Sequence, residues 1–182
     1  MSRVLYYAAA SLDGYLATPE HGLDWLLALD NDPDGALGWN GVDSRIGALV
    51  MGRATYDWLV TGPLAEPGST WPHRQPTWVR TRRAPAEPHP GGDIRFTSAD
   101  AATVVGQMRA AAGDADLWCV GGGQTAAWLL EAGLVDELWI SIAPVVLGAG
   151  IPLLPVPARL QTLAVDRNRD FAAVRYRVLP SP

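Results

Sequence analysis

One stretch constrains this chain more than any other. It runs from Asp116 to Leu134 and reads Asp-Leu-Trp-Cys-Val-Gly-Gly-Gly-Gln-Thr-Ala-Ala-Trp-Leu-Leu-Glu-Ala-Gly-Leu. Leu117 to Val120 is an apolar run of strand length, too short for a helix. Gly121, Gly122 and Gly123 follow at once. From Gln124 the pattern changes: Ala127, Leu130 and Leu134 recur at helical spacing, and Gly133 supplies a C-terminal stop. A strand that passes through glycines directly into a helix has two readings. Without Cβ atoms a phosphate can approach the backbone, and the helix start offers unpaired N–H groups and a positive dipole end. Alternatively, the glycines make a tight strand-to-helix turn with no ligand. Gly121, Gly123 and Ala126 satisfy G-x-G-x-x-G/A, the pattern of a dinucleotide pyrophosphate site. The acid that usually follows about 20 residues later is missing, since that region reads Ser141-Ile142-Ala143-Pro144.

The rest of the chain alternates in the same way. Arg3 to Ala10 is apolar nearly throughout, as expected of a central strand covered on both faces. It ends in Ser11-Leu12-Asp13-Gly14, where Asp13 reads as a turn-stabilising side chain. Gly22 to Asp30 predicts a short helix with Trp25, Leu26 and Leu29 on one face. Ile46 to Met51 is a second strand and runs into Gly52-Arg53-Ala54-Thr55-Tyr56, again strand, glycine, helix start. Thr55 and Arg53 suit a phosphate there, the alternative being a helix start with a surface arginine. Pro76 to Val79 is a third strand and leads to Thr81-Arg82-Arg83. Two planar guanidinium forks match a phosphate monoester, or they form a solvated basic corner. Gly62–Pro76 and Ala84–Gly92 are Pro- and Gly-rich loops. Asp93 to Thr97 is a strand, Ser98 the expected N-cap of a helix over Val104, Val105 and Met108, and Glu137 to Ile142 a further strand. Leu160–Val165 and Phe171–Val178 read as an antiparallel hairpin.

This order predicts a single α/β domain over residues 1–182. It is a three-layer fold: a mainly parallel central sheet, helices on both faces and an antiparallel C-terminal hairpin. Ligands of such sheets bind beyond the carboxyl ends of strands. Ser11–Gly14, Gly52–Thr55, Thr81–Arg83 and Gly121–Gln124 all lie there. A net charge of -5 supplies no basic field for nucleic acid. One cysteine fits a reducing compartment, and no apolar run reaches membrane-spanning length, so a cytoplasmic protein without a membrane partner is expected. His21, His73 and His89 are scattered and Cys119 stands alone, which gives no metal-ligand spacing. Ser11 lacks a histidine for a hydrolytic triad.

The joint set Ala10-Ser11-Leu12-Asp13-Gly14, Met51-Gly52-Arg53-x-Thr55-Tyr56, Thr81-Arg82 and Val120-Gly121-Gly122-Gly123 resembles the dihydrofolate reductase-like superfamily. It is most similar to the reductase domain of bifunctional riboflavin-biosynthesis enzymes and their stand-alone relatives. Leu134-Val135-Asp136-Glu137-Leu138 and Pro144-Val145-Val146-Leu147-Gly148 match that branch as well. The resemblance implies NADPH as cofactor. Gly52, Arg53 and Thr55 would meet its pyrophosphate and adenosine side, Thr81 and Arg82 its 2′-phosphate, and Gly121, Gly122, Gly123 and Gln124 its pyrophosphate. Ala9 and Gly14 would flank the nicotinamide.

It also implies hydride transfer to a small heterocycle of the pyrimidine or pterin type, such as 5-amino-6-(5-phosphoribosylamino)uracil or dihydrofolate. Tyr15, Trp25 and Trp39 are candidates for an aromatic substrate wall. In the riboflavin branch an arginine typically follows the Ser-Leu-Asp-Gly turn; this chain has Tyr15, so a ribose-phosphate loses a partner. Trp25 and Asp30 reproduce the spacing of a tryptophan and acid on the first helix of dihydrofolate reductases. As a buried carboxyl, Asp30 would fix a heteroaromatic N–H and help protonate the ring; otherwise it is a solvated helix-end residue. The family's habit is a homodimer. The competing class is a non-catalytic NADPH-binding module or sensor.

Overall fold

The structure is a computed structural model that describes residues 2–83 and 87–180. Ala84 to Ala86, at the start of the second Pro-rich loop, lie outside the described residues. The chain runs β1 (Val4–Ala10), β2 (Tyr15–Ala17), α1 (Asp24–Leu27), α2 (Trp39–Asp43), β3 (Ile46–Gly52), α3 (Arg53–Thr61), β4 (Thr77–Arg80), β5 (Ile94–Thr97), α4 (Ala101–Ala112), β6 (Asp116–Val120), α5 (Gly123–Glu131), β7 (Glu137–Ile142), β8 (Ile151–Pro152), β9 (Arg159–Asn168) and β10 (Phe171–Leu179).

Eight strands form one sheet in the order β5-β4-β3-β6-β1-β7-β10-β9. The first six are parallel. The C-terminal hairpin continues the sheet antiparallel. Period-2 alternation divides the side chains between two faces. On one face Val4, Tyr6, Val50, Leu117, Cys119, Leu138 and Ile140 pack under Val104, Val105 and Met108 of α4 and Ala126 and Leu129 of α5. On the other, Leu5, Leu49, Trp118 and Trp139 pack under Val42 of α2, and Met51 and Val79 under Tyr56 of α3. Covered on both faces, the central strands read as continuous apolar runs, and that is why the sequence displays them so clearly. α5 ends in a Schellman motif: Leu134 N–H reaches Leu129 O and Gly133, at φ +66°, donates to Leu130 O.

Two local expectations are corrected, and one further strand is found. The helix predicted over Gly22–Asp30 shrinks to the four residues of α1, none of them buried. Ser98 is not the N-cap of α4: Asp100 is, its carboxylate accepting from the Thr103 N–H at 2.8 Å and hydroxyl at 3.0 Å. The loop after β7 contains β8, which pairs antiparallel with β2 in a separate two-stranded sheet.

Candidate functional site

The parallel strands deliver their carboxyl ends to one edge. There the chain turns into α3 after β3, into the Thr81 loop after β4, toward α4 after β5 and into α5 after β6. A cleft of about 760 Å³ lies at that edge. Arg53, Arg80, Arg82 and Arg83 line it together with Asp57, Thr81, Ser98, Asp100 and Trp128. Four arginines against two aspartates make it positive in a chain whose net charge is -5.

Arg53 opens α3. Its Nε donates to Asp57 Oδ1 one turn along the helix at 2.6 Å, while Nη1 is buried without an acceptor among the described residues. A buried guanidinium N–H left unpaired is costly, and a ligand phosphate oxygen would satisfy it. Thr81 donates its backbone N–H to Thr97 O, and its hydroxyl accepts from the Arg83 N–H at 3.1 Å. These bonds hold the turn that carries the exposed Arg82 and Arg83 side chains into the cleft.

The glycine turn adjoins this group. Gly121 (φ +53°) and Gly122 (φ +61°) are left-handed, a conformation that favours glycine. A Cβ on Gly122 would sit 3.3 Å from Thr55 Oγ1, and one on Gly52 would sit 2.8 Å from Thr125 Oγ1. The starts of α3 and α5 therefore abut, and neither has a side-chain cap, unlike α4. Two free helix starts beside an unsatisfied arginine form a cradle suited to an anion. Gly123 is held to glycine for a different reason. A Cβ there would strike the carbonyls of Pro152 and Leu153, so packing alone requires its absence. Gln124 lines an adjoining cleft of about 190 Å³ that shares Arg80 and Trp128 with the first.

Thus Gly52, Arg53, Thr55, Thr81, Arg82 and Gly121 to Gln124 come together. Sequence reasoning missed Arg80 and Trp128, whose guanidinium carbon lies 4.7 Å from the ring centroid. Trp128 stands one turn after Gln124, so a helical projection would have placed both on one face.

Ala9, Gly14 and Tyr15 lie farther along the same edge. Ala9 pairs with Ser141 of β7 and is half-buried. Gly14 turns at φ +84°, and its carbonyl accepts from Leu153 N–H. Tyr15 opens β2 opposite Pro152. Asp13 is the turn anchor expected of it. Its carboxylate accepts from the Ser11 hydroxyl at 2.7 Å and from the N–H groups of Leu147 and Gly148, and these bonds, Ser11's first, hold its pKa below the usual carboxylate range.

Trp25 lies on α1, half-buried, its indole N–H without an acceptor among the described residues. Of the two readings of Asp30, the buried catalytic acid is corrected and the solvated residue is what the structure shows. α1 ends before it, and its exposed carboxylate accepts from Arg169 at 2.9 Å, so it is not a buried acid. Trp39 joins an aromatic group beneath the other side of the sheet, 5.2 Å from Trp118 and 6.0 Å from His73. Burial lowers the His73 pKa against the pull of Asp43, so that ring is neutral at pH 7.

The comparisons with known proteins agree with this architecture. Among curated proteins, the uncharacterized protein YwjB of Bacillus subtilis (strain 168) is 26% identical over 93% of this chain and 92% of its own length. The uncharacterized protein YyaP of the same organism is 28% identical over 94% and 90%. A Shewanella sp. PV-4 protein assigned provisionally to riboflavin biosynthesis superposes with a TM-score of 0.81 at 26% identity, covering 98% of this chain and 99% of its own. The Thermotoga maritima diaminohydroxyphosphoribosylaminopyrimidine deaminase/5-amino-6-(5-phosphoribosylamino)uracil reductase shares the fold at a TM-score of 0.66 and 16% identity. That match covers 98% of this chain and 57% of the Thermotoga chain. Residues 63–170 match the RibD C-terminal domain, and the chain belongs to that family.

Proposed function

We propose that the protein is an NADPH-dependent reductase that passes a hydride to a small planar heterocycle of the pyrimidine or pterin type. The observation that carries this reading is the buried, unpaired Nη1 of Arg53 in a positive cleft beside two uncapped helix starts. Thr81 and Arg82 would hold the 2′-phosphate that NADH lacks, since guanidinium forks match phosphate oxygens. Gly52, Arg53 and Thr55 would meet the pyrophosphate and adenosine side, Gly121 to Gln124 would hold the pyrophosphate, and Ala9 and Gly14 would border the nicotinamide. When bound, NADPH supplies a hydride to one carbon of a C=N bond and leaves as NADP+.

The protein's share is binding and orientation. Four inter-strand steps separate β4 from β7, about 19 Å in all at about 4.8 Å per step. Arg82 toward one end of that edge and Ala9 and Gly14 toward the other would hold the two ends of a dinucleotide. Tyr15 and Trp25 are the proposed aromatic wall. With Asp30 exposed and ion-paired, solvent supplies the proton taken up by the reduced nitrogen. The same reading takes the protein as a cytoplasmic homodimer. The test is the loss of NADPH absorbance with 5-amino-6-(5-phosphoribosylamino)uracil, its dephosphorylated nucleoside or dihydrofolate as acceptor. Tight NADPH binding without oxidation by any pyrimidine or pterin would instead favour a non-catalytic binding module.

A further inference from the structure

The distribution of charge narrows the acceptor. The chain contains no lysine, and its 14 cationic side chains are all arginines at described positions. Arg53, Arg80, Arg82 and Arg83 belong to the cofactor cleft. Arg3, Arg45 and Arg175 gather at the opposite edge of the sheet, where they pair with Asp116 and Glu137 and surround the Trp139 ring. Arg177 lies opposite Glu137 at that same edge, Arg159 opens β9 there opposite Leu179, Arg74 precedes the start of β4, Arg109 stands in the last turn of α4, and Arg95 is paired with Asp93. Among the described residues, the arginines on the β1 and β7 side of the carboxyl edge are those of the β9–β10 turn, Arg167 and Arg169. Arg169 is engaged by Asp30 and Asp32, and Arg167 Nε donates to Arg169 O.

The loops around that side are acidic or uncharged. Residues 11–40 contain six acids and no arginine, and residues 143–158 contain no charged side chain. Helix dipoles do not compensate, because α1 has four residues and α2 five. What this side offers besides is neutral: the Tyr15 ring, a buried Trp25 indole N–H without an acceptor among the described residues, and the exposed apolar Leu12 and Val146 on two loops joined by the Leu12 N–H to Val145 O bond. A phosphate ester placed here would give up water and meet like charge without a counter-cation.

We propose that the hydride acceptor is a planar heterocycle that carries no phosphate; this rests on the reductase reading and narrows it. The test uses the full chain saturated with NADP+. Binding of NADP+ is measured first by tryptophan fluorescence, and its failure would remove the reductase reading itself. The saturated protein is then titrated calorimetrically with 5-amino-6-(5-phosphoribosylamino)uracil and with the matching nucleoside that lacks the phosphate. The nucleoside binds at least tenfold more tightly at low salt, and the gap narrows as added salt screens the rim. Equal or tighter binding of the phosphate ester, no binding of the nucleoside, or a gap insensitive to salt overturns the proposal.

Discussion

Single side chains decide whether the cleft distinguishes cofactors. Arg82→Ala removes a cation that only the 2′-phosphate would use. NADPH affinity should fall at least tenfold, about 1.4 kcal/mol, with NADH affinity little changed. Equal losses for both nucleotides in a fluorescence titration would count against the assignment. Gly122→Ala forces a Cβ into a left-handed residue 3.3 Å from Thr55 Oγ1. It should cost about 1–2 kcal/mol of stability in urea unfolding and weaken nucleotide binding as well. At this scale residue types were legible and partners were not. Arg53, Thr55, Arg82 and the glycines announced themselves because phosphate chemistry needs those types after strand ends. The contact of Asp30 with Arg169 joins residues 139 apart, and no local pattern encodes it. Gly123 fitted a ligand motif, yet its backbone packing against Pro152 and Leu153 would require glycine with or without a ligand.

Elements were legible in proportion to the regular burial they carry. β1, β3, β6 and β7 have both faces covered, and their apolar runs mark them. The four-residue α1 and the two- and three-residue β8 and β2 are too short for periodicity to register. The capping of α4 turned on geometry two residues away from the expected cap, since it is the Asp100 carboxylate that meets the Thr103 N–H. The loop carrying His73 yields a prediction of its own. Its ring stands edge-on to Trp118 at 5.5 Å and beside Trp71 at 5.8 Å, and burial holds its pKa below 6.5. Below that pH the unfolded chain takes up a proton that the folded ring resists. Stability is therefore full above about pH 6.5 and declines on acidification, by at most about 1.4 kcal/mol per pH unit from this group. His73→Phe should lose less melting temperature than the wild type between about pH 7.5 and pH 5.5. Equal losses would show that His73 does not titrate this way.

At the scale of the whole molecule, the strand order does the assembling. β6 lies between β3 and β1, so turns at Gly52, Thr81 and Gly121, far apart in the chain, open on one edge. The alternation of elements made the mainly parallel sheet legible, while the order of strands across it was not, because pairing between distant strands leaves no local mark. β9 forms one end of the sheet as a ten-residue strand with Leu160 and Val165 exposed. Such an edge invites cover. The proposed homodimer should sediment at twice the 19.4 kDa chain mass, and a monomer at micromolar concentration would remove it. The central claim is that separate strand ends make one nucleotide cradle. Amide hydrogen exchange with and without saturating NADPH tests it most directly. The account predicts slowed exchange in 52–55, 81–83 and 121–124 together; protection confined to one of these segments, or lying elsewhere, would contradict it.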